Sequence, residues 1–311
     1  MATILITGGA GFIGSHLADA LVLQSHRVVI VDNLSRGKKE RVNKSARFYE
    51  IDIENQTNLS GIFKAERPKY VFHLAAQIDV RKSVEQPSQD AMANIIGTIN
   101  LLELSASHQI EKFIFASSGG ALYGDKAPLP TPETRNNMAL ANPSSPYGIA
   151  KLCAENYILF FSRSVGLPYS ILRLANVYGP FQNCEGEAGV IAIFIHTYLR
   201  GKPPVIYGTG EQTRDFVFID DVIDALLKSW RHKESDIYNI GTGSETSINK
   251  IAQQIKTQIG SRLDPQYENP KVGDAKRSCL DSQKAKHKLS WKPKTSLQQG
   301  IKKTIVSFKN I

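Results

Sequence analysis

The sequence predicts an α/β protein, a doubly wound parallel sheet with a smaller C-terminal α/β lobe. Three observations lead there. Short apolar, β-branched runs alternate with segments of helical hydrophobic spacing along most of the 311 residues. The first run opens almost at Met1 and feeds directly into a glycine-rich turn. Loop-forming glycines and prolines collect in 179–214 and 261–311, after the sixth expected strand, so the added lobe belongs there.

Thr3–Thr7 reads as a buried first strand, and Phe12–Leu23 places Ile13, Leu17, Ala20 and Leu21 at helical spacing. Between them runs Gly8-Gly9-Ala10-Gly11-Phe12-Ile13-Gly14. Gly9, Gly11 and Gly14 fit the dinucleotide fingerprint, and Gly8, Gly11 and Gly14 fit its wider spacing. Backbone amides at such a strand-to-helix turn can meet a pyrophosphate. Residues 28–31 form the second strand, which ends in Asp32, near the distance at which an acid meets an adenosine ribose. The unit is therefore Rossmann-like. A carboxylate at Asp32 accepts ribose hydroxyls and repels a 2′-phosphate, so NAD is expected rather than NADP. Arg36 leans the other way without removing that repulsion.

Further strands are expected at 47–51, 70–75, 112–117, 169–174 and 236–240, and helices at 59–66, 91–107, 147–165, 219–230 and 247–259. Ligands of such sheets bind outside the carboxyl ends of the strands. The glycine loop, Ala75-Ala76-Gln77, Ser117-Ser118 and Asn176 all fall there, while His73 reads as a structural residue at a strand end. The expected division is a nucleotide-binding domain of residues 1–175 plus about 215–245, and a lobe of about 176–214 plus 246–311.

Ser145-Pro146-Tyr147-Gly148-Ile149-Ala150-Lys151 carries the chemistry. Pro146 suits a helix start, and the four-residue spacing puts the Tyr147 phenol and the Lys151 ammonium on one face. A free tyrosine, with a pKa of about 10, is only about one part in a thousand phenolate at pH 7. An ammonium within reach stabilises the phenolate by about one to three pKa units, which brings it toward a useful general base for hydride chemistry. Such pairs are common on amphipathic helices, so this reading depends on the glycine loop.

Lys and Arg number 38 against 29 Asp and Glu, a formal net charge of +9. The excess is plain in Lys284, Lys286, Lys288, Lys292, Lys294, Lys302 and Lys303, which alternate with Leu289, Trp291, Leu297, Ile301 and Ile305. That pattern is the solvated face of amphipathic segments, and no nucleic-acid partner is expected. No basic leader precedes the first strand and no apolar run reaches spanning length, so a soluble, cytoplasmic protein without membrane contact is expected. Cys153, Cys184 and Cys279 have neither metal nor redox spacing, and the seven histidines form no ligand pattern, so no metal is expected.

On these residues the chain resembles the extended short-chain dehydrogenase/reductase superfamily over nearly its whole length. Within it the NAD-dependent sugar-nucleotide epimerases are the nearest likeness, and the UDP-glucose 4-epimerase family above all. The matching motifs are 7–14 (Thr-Gly-Gly-Ala-Gly-Phe-Ile-Gly), Asp32-Asn33-Leu34, His73-Leu74-Ala75-Ala76, 117–124 (Ser-Ser-Gly-Gly-Ala-Leu-Tyr-Gly), 147–151, 173–180 and 214–221. The resemblance implies that Tyr147 is the base, that Lys151 holds the nicotinamide ribose and lowers the tyrosine pKa, and that Ser118, or else Ser117, hydrogen-bonds the reacting oxygen. Many relatives carry that hydroxyl where this chain has Gly119. Cofactor contacts are implied for Gly8, Gly11, Phe12, Ile13, Gly14, Asp32, Asn33, Asp52, Ile53, Leu74, Ala75, Ala76, Tyr147 and Lys151. A UDP-sugar would meet Ser118, Tyr147, Asn176, Arg214, Lys271 and Ser278, with Arg214 on the diphosphate and Ser278 facing the sugar C2 substituent. Lys271 stands where relatives often have arginine and keeps the charge without the fork.

The implied reaction oxidises the sugar at C4 with tightly held NAD, turns the 4-keto sugar and reduces it on the other face. Relatives that dehydrate carry Asp-Glu where this chain has Gly120 and Ala121, which argues against elimination. A UDP-glucuronate 4-epimerase or a sugar-nucleotide decarboxylase shares the loop and the Tyr/Lys pair. A non-catalytic dinucleotide-sensing regulator would usually have lost that pair. Relatives form homodimers through the helices matching 91–107 and 147–165.

Overall fold

The computed structural model describes residues 1–124, 127–133, 140–184, 189–270 and 276–309. In chain order its strands are β1 (Thr3–Thr7), β2 (Arg27–Asp32), β3 (Arg47–Glu50), β4 (Tyr70–His73), β5 (Lys112–Ser118), β6 (Tyr169–Leu174), β7 (Asn176–Tyr178), β8 (Val205–Tyr207), β9 (Thr213–Phe218), β10 (Asp236–Ile240), β11 (Glu245–Ser247) and β12 (Gln266–Glu268). The main sheet has seven strands in the order β10-β6-β5-β4-β1-β2-β3. Every neighbouring pair in it is parallel. Strand order reverses between β1 and β4, so a crevice opens at their carboxyl ends, the place where such sheets take ligands.

Successive residues of a strand point to opposite faces, and here both faces are covered. Ile4, Ile6, Val28, Ile30 and Phe72 enter one core, with the helices Phe12–Leu23 and Ile219–Arg231. Leu5, Val29, Val31 and Val71 enter the other, with Gln56–Glu66, Gly97–Ser107 and Pro146–Val165. Burial on both sides is the reason these strands read as unbroken apolar runs.

After β6 the chain leaves the main sheet, returns for β10 and leaves again. The excursions build a β11-β9-β7 sheet and a β12-β8 pair. Trp291, almost wholly buried, donates from Nε1 to the Asp221 carbonyl at 2.9 Å, and the Asp221 carboxylate accepts from the Lys294 and Thr295 amides at 2.9 and 3.1 Å. The basic C-terminal stretch is anchored in this way. Its lysines reach acids: Lys284 pairs with Asp236, Lys288 with Glu234 at 3.0 Å, and Lys303 with Asp220 at 3.2 Å. These lysines of the basic stretch are thus neutralised locally at the surface.

Several elements depart from the sequence reading. β4 stops at His73, because 74–77 bend toward the crevice. The helix expected over 91–107 begins with a short helix Pro87–Ala91 and passes through a π-turn at Met92–Ile96. The short strands β7, β8, β11 and β12 and the helices Val190–Leu199, Gln283–Leu289 and Leu297–Lys309 have no counterpart among the expected elements. Among the described residues no helix is long and apolar enough to cross a membrane.

Candidate active site

The glycine loop is built by exclusion. Gly8 has φ +72°, and a Cβ on it would lie 2.7 Å from the Ala75 nitrogen. A Cβ on Gly14 would lie 2.1 Å from the Gly8 carbonyl oxygen. The helix Phe12–Leu23 can therefore begin flush against the end of β1. Its N-cap, Gly11, offers no side chain to the first-turn amides, and no acid stands in that turn. Those amides suit an anion.

Asp32 ends β2 with its side chain buried. Its Oδ2 accepts from the Ala10 amide at 3.0 Å and its Oδ1 from the Leu34 amide at 2.8 Å. Burial pushes the carboxyl pKa up and the Leu34 and Ala10 amides pull it back. Asn33 donates to Asp52 at 2.7 Å, tying the end of β2 to the segment after β3. Around these groups lies a cleft of about 690 Å³, of a size suited to a cofactor. Gly8, Gly11, Phe12, Ile13, Gly14, Asp32, Asn33, Asp52, Ile53, Leu74, Ala75 and Ala76 all line it. Free amides for a pyrophosphate, a carboxylate for a ribose and a glycine cradle that side chains would fill are what NAD requires. Gln77, expected at this strand end, also lines the cleft, as do Lys82, Asp90, Ala116, Gln182 and Asn183, which had no motif to announce them.

The helix Pro146–Val165 starts as its sequence suggests: Pro146 occupies the first turn and the Ser145 hydroxyl accepts from the Gly148 amide at 3.2 Å. Lys151 is 4% exposed and donates to the Ala116 carbonyl at 2.9 Å. Its ammonium lies 4.6 Å from the Phe115 ring centre and 6.0 Å from that of Tyr147. Ala116 lines the cleft, so the Lys151 ammonium stands directly behind its wall, while Tyr147 and Lys151 are not themselves among the lining residues. Ser118 stands beside the Tyr147 phenol, whose pKa it lowers, and its hydroxyl accepts from the Ala121 amide at 3.3 Å.

Two expectations need correction. The Ser117 hydroxyl donates to Glu155 at 2.6 Å, inside a buried network in which Arg173 also grips Glu155 at 2.6 Å, so Ser117 is committed to the core face of the sheet. The phenol pKa is not lowered in the protein alone. Burial pushes Tyr147 up to about 12, against the pull of the Ser118 hydrogen bond, and Asp90 raises it further. Burial likewise lowers Lys151 to about 8, opposed by Asp90 and Glu155. Gly119 is a glycine for a packing reason: a Cβ there would lie 2.5 Å from Leu280 Cδ1.

Asn176, Arg214 and Ser278 do not line the cleft; they sit on the second sheet beyond it. Asn176, exposed at the start of β7, is in register with Phe216 of β9, two residues beyond Arg214. The Thr213 amide donates to the Lys276 carbonyl at 3.0 Å and the Ser278 amide to the Thr213 carbonyl at 3.2 Å, laying the Ser278 segment beside β9. The Ser278 hydroxyl lies 3.8 Å from where a Cβ on Gly120 would be, close to the helix that begins at Ser118. Asp215 fixes this junction by accepting from the Thr242 amide at 2.8 Å, the Gly243 amide at 3.1 Å and the Leu280 amide at 3.3 Å. Lys271 lies outside the described residues, as do Gly273 and Asp274. His73, buried, is held between the Thr7 and Thr98 hydroxyls at 2.8 and 2.9 Å.

Known proteins share the fold over nearly the whole chain. A UDP-glucose 4-epimerase of Thermotoga maritima, solved with UDP-glucose, is 48% identical with a TM-score of 0.96, over 99% of each chain. A UDP-glucose 4-epimerase of Thermus thermophilus, solved in complex with NAD, is 37% identical with a TM-score of 0.92, also over 99% of each chain. A UDP-glucose 4-epimerase of Mycolicibacterium smegmatis is 39% identical over 98% of each chain. Residues 4–241, which span the glycine loop, Asp32, Tyr147, Lys151 and β10, match the NAD dependent epimerase/dehydratase family, and the chain belongs to that family.

Proposed function

We propose that the protein is a UDP-hexose 4-epimerase that interconverts UDP-glucose and UDP-galactose and also accepts UDP-N-acetylglucosamine. The observation that carries this reading is the Tyr147–Lys151 pair set behind Ala116 of the dinucleotide cleft with Ser118 beside the phenol, and only Gly120 and Ala121 where an eliminating enzyme needs acids. Residues 1–175 with about 215–245 hold the cofactor, and about 176–214 with 246–311 hold the sugar nucleotide. The glycine loop and Asp32 would hold NAD, which would supply reversible hydride acceptance at C4.

The chain's own residues handle the proton and the geometry. Tyr147 accepts the O4 proton as the C4–O4 bond becomes a carbonyl, and gives it back on reduction. Ser118 hydrogen-bonds the same oxygen in both directions. Lys151, at about 8, is mostly ammonium at pH 7, and its charge favours the phenolate. Arg214 suits the diphosphate through its planar fork, and Asn176 the nucleotide sugar beside it. Inversion follows when the 4-keto sugar turns before the proton returns.

The test is to incubate the protein with UDP-glucose and UDP-N-acetylglucosamine in deuterated water and resolve the products by NMR. Inversion at C4 with no carbon-bound deuterium is expected, and Tyr147→Phe should lose about a hundredfold or more in rate while keeping its NAD. Deuterium at C5, or a near wild-type rate for Tyr147→Phe, would overturn the assignment.

A homodimer fits the surface. On Pro146–Val165, Ile149, Tyr157 and Phe160 recur at helical spacing and are 54%, 38% and 55% exposed. Met92 and Ile96 add a second apolar pair four residues apart. Helix faces of this kind suit a self-complementary contact.

A further inference from the structure

Asp90 belongs to none of the motifs. It sits on the short helix Pro87–Ala91, which packs against Pro146–Val165, the helix of Tyr147 and Lys151. It is 1% exposed and lines the dinucleotide cleft. Its Oδ1 accepts from Gln77 Nε2 at 2.8 Å and from Asn94 Nδ2 at 2.9 Å.

Both amides are locked with their nitrogens toward it. Gln77 Oε1 accepts from the Asp79 amide at 2.6 Å, and Asn94 Oδ1 accepts from the Gln77 amide at 2.9 Å, so neither side chain can flip to present oxygen. Burial raises the Asp90 pKa, and Gln77, Asn94 and Lys151 pull it back. The two donors on its Oδ1 and the nearby Lys151 ammonium favour the anion against that burial.

We propose that Asp90 is the counter-charge of the Tyr147–Lys151 pair, a positioning residue whose negative charge keeps Lys151 an ammonium and holds Tyr147 neutral until substrate arrives. This rests on the epimerase reading above. Lys151 needs such a partner, because its hydrogen bond goes to the neutral Ala116 carbonyl and Glu155 is already gripped by Arg173. The charged and titratable groups around the pair are few. Asp90 acts on both members, Glu155 acts on Lys151 from its own helix, and His73 of β4 is kept neutral, pushed down to about 3 by burial and by Lys151. Lys82 shares the lining of the cleft with Asp90.

Removing the charge has one sign for both partners. A phenolate no longer repelled forms at lower pH, and an ammonium no longer stabilised loses its proton at lower pH. The holoenzymes of Asp90→Asn, which keeps an oxygen for both donors, and of Asp90→Ser, as a second variant, test this. Turnover is measured against pH, and Tyr147 ionisation is followed by ultraviolet difference titration against Tyr147→Phe. Both limbs of the profile, which belong to the coupled pair, should move to lower pH together by about one unit, and the titration should move with them. Unmoved limbs and an unmoved titration, with only turnover or stability reduced, would make Asp90 a structural residue and overturn the proposal. If no UDP-sugar is epimerised the functional reading fails, yet the titration still decides the role of Asp90.

Discussion

In the proposed reading Ser278 borders the C2 substituent of the sugar, where a small side chain leaves room. Its hydroxyl lies 3.8 Å from where a Cβ on Gly120 would be, so a bulkier side chain at 278 must find room elsewhere in the proposed sugar site. Ser278→Tyr should therefore cut kcat/KM for UDP-N-acetylglucosamine by about ten- to a hundredfold, the scale of 1–3 kcal/mol of overpacking, while UDP-glucose is spared. Equal losses on the two sugars, measured side by side, would place Ser278 away from the ligand. Residues next to a motif were readable because spacing fixes them: the glycines, Asp32 and the Tyr147–Lys151 pair need no tertiary information. Ser117 and Ser118 were not separable. Adjacent strand residues face opposite ways, and with both faces of the sheet covered nothing in the sequence says which hydroxyl meets Glu155 and which meets Tyr147. Asp90 was invisible for a related reason: its partners Gln77 and Asn94 come from a loop and a π-turn, whose approach only the folded chain defines.

The strand–loop–helix unit at the N-terminus tolerates no addition at its tightest point. Gly14→Ala drives a methyl group onto the Gly8 carbonyl, and the helix must back away from β1 to relieve it. Since the first-turn amides move with the helix, the variant should lose both stability, by about 1–3 kcal/mol, and bound dinucleotide. Thermal unfolding together with the NAD released on denaturation would check this; full NAD content at unchanged stability would refute it. At this scale the long strands of the main sheet were legible, because two-sided burial leaves continuous apolar runs. The strands β7, β8, β11 and β12 span three residues each and owe their existence to partners distant in the chain, so no local pattern marks them.

For the molecule as a whole, the apolar stripe of Ile149, Tyr157 and Phe160 should lie between two copies. The double change Ile149→Glu and Phe160→Glu places charge where a partner surface would bury it, at a cost of several kcal/mol, so sedimentation should show monomers in place of dimers. An unchanged mass would move the interface elsewhere. Strand order also has a meaning in time. Six of the seven main-sheet strands, β3-β2-β1-β4-β5-β6, are complete by Leu174, ahead of Asn176, Arg214 and Ser278. Synthesis proceeds from the N-terminus. The glycine loop, Asp32, Tyr147 and Lys151 are thus made while the lobe does not yet exist, and β6 stays an open edge until β10 arrives to pair with it. A dinucleotide captured at that stage stabilises the nascent sheet by mass action. Cofactor supply during synthesis would then raise the yield of folded protein, which expression with and without added nicotinamide precursor would show.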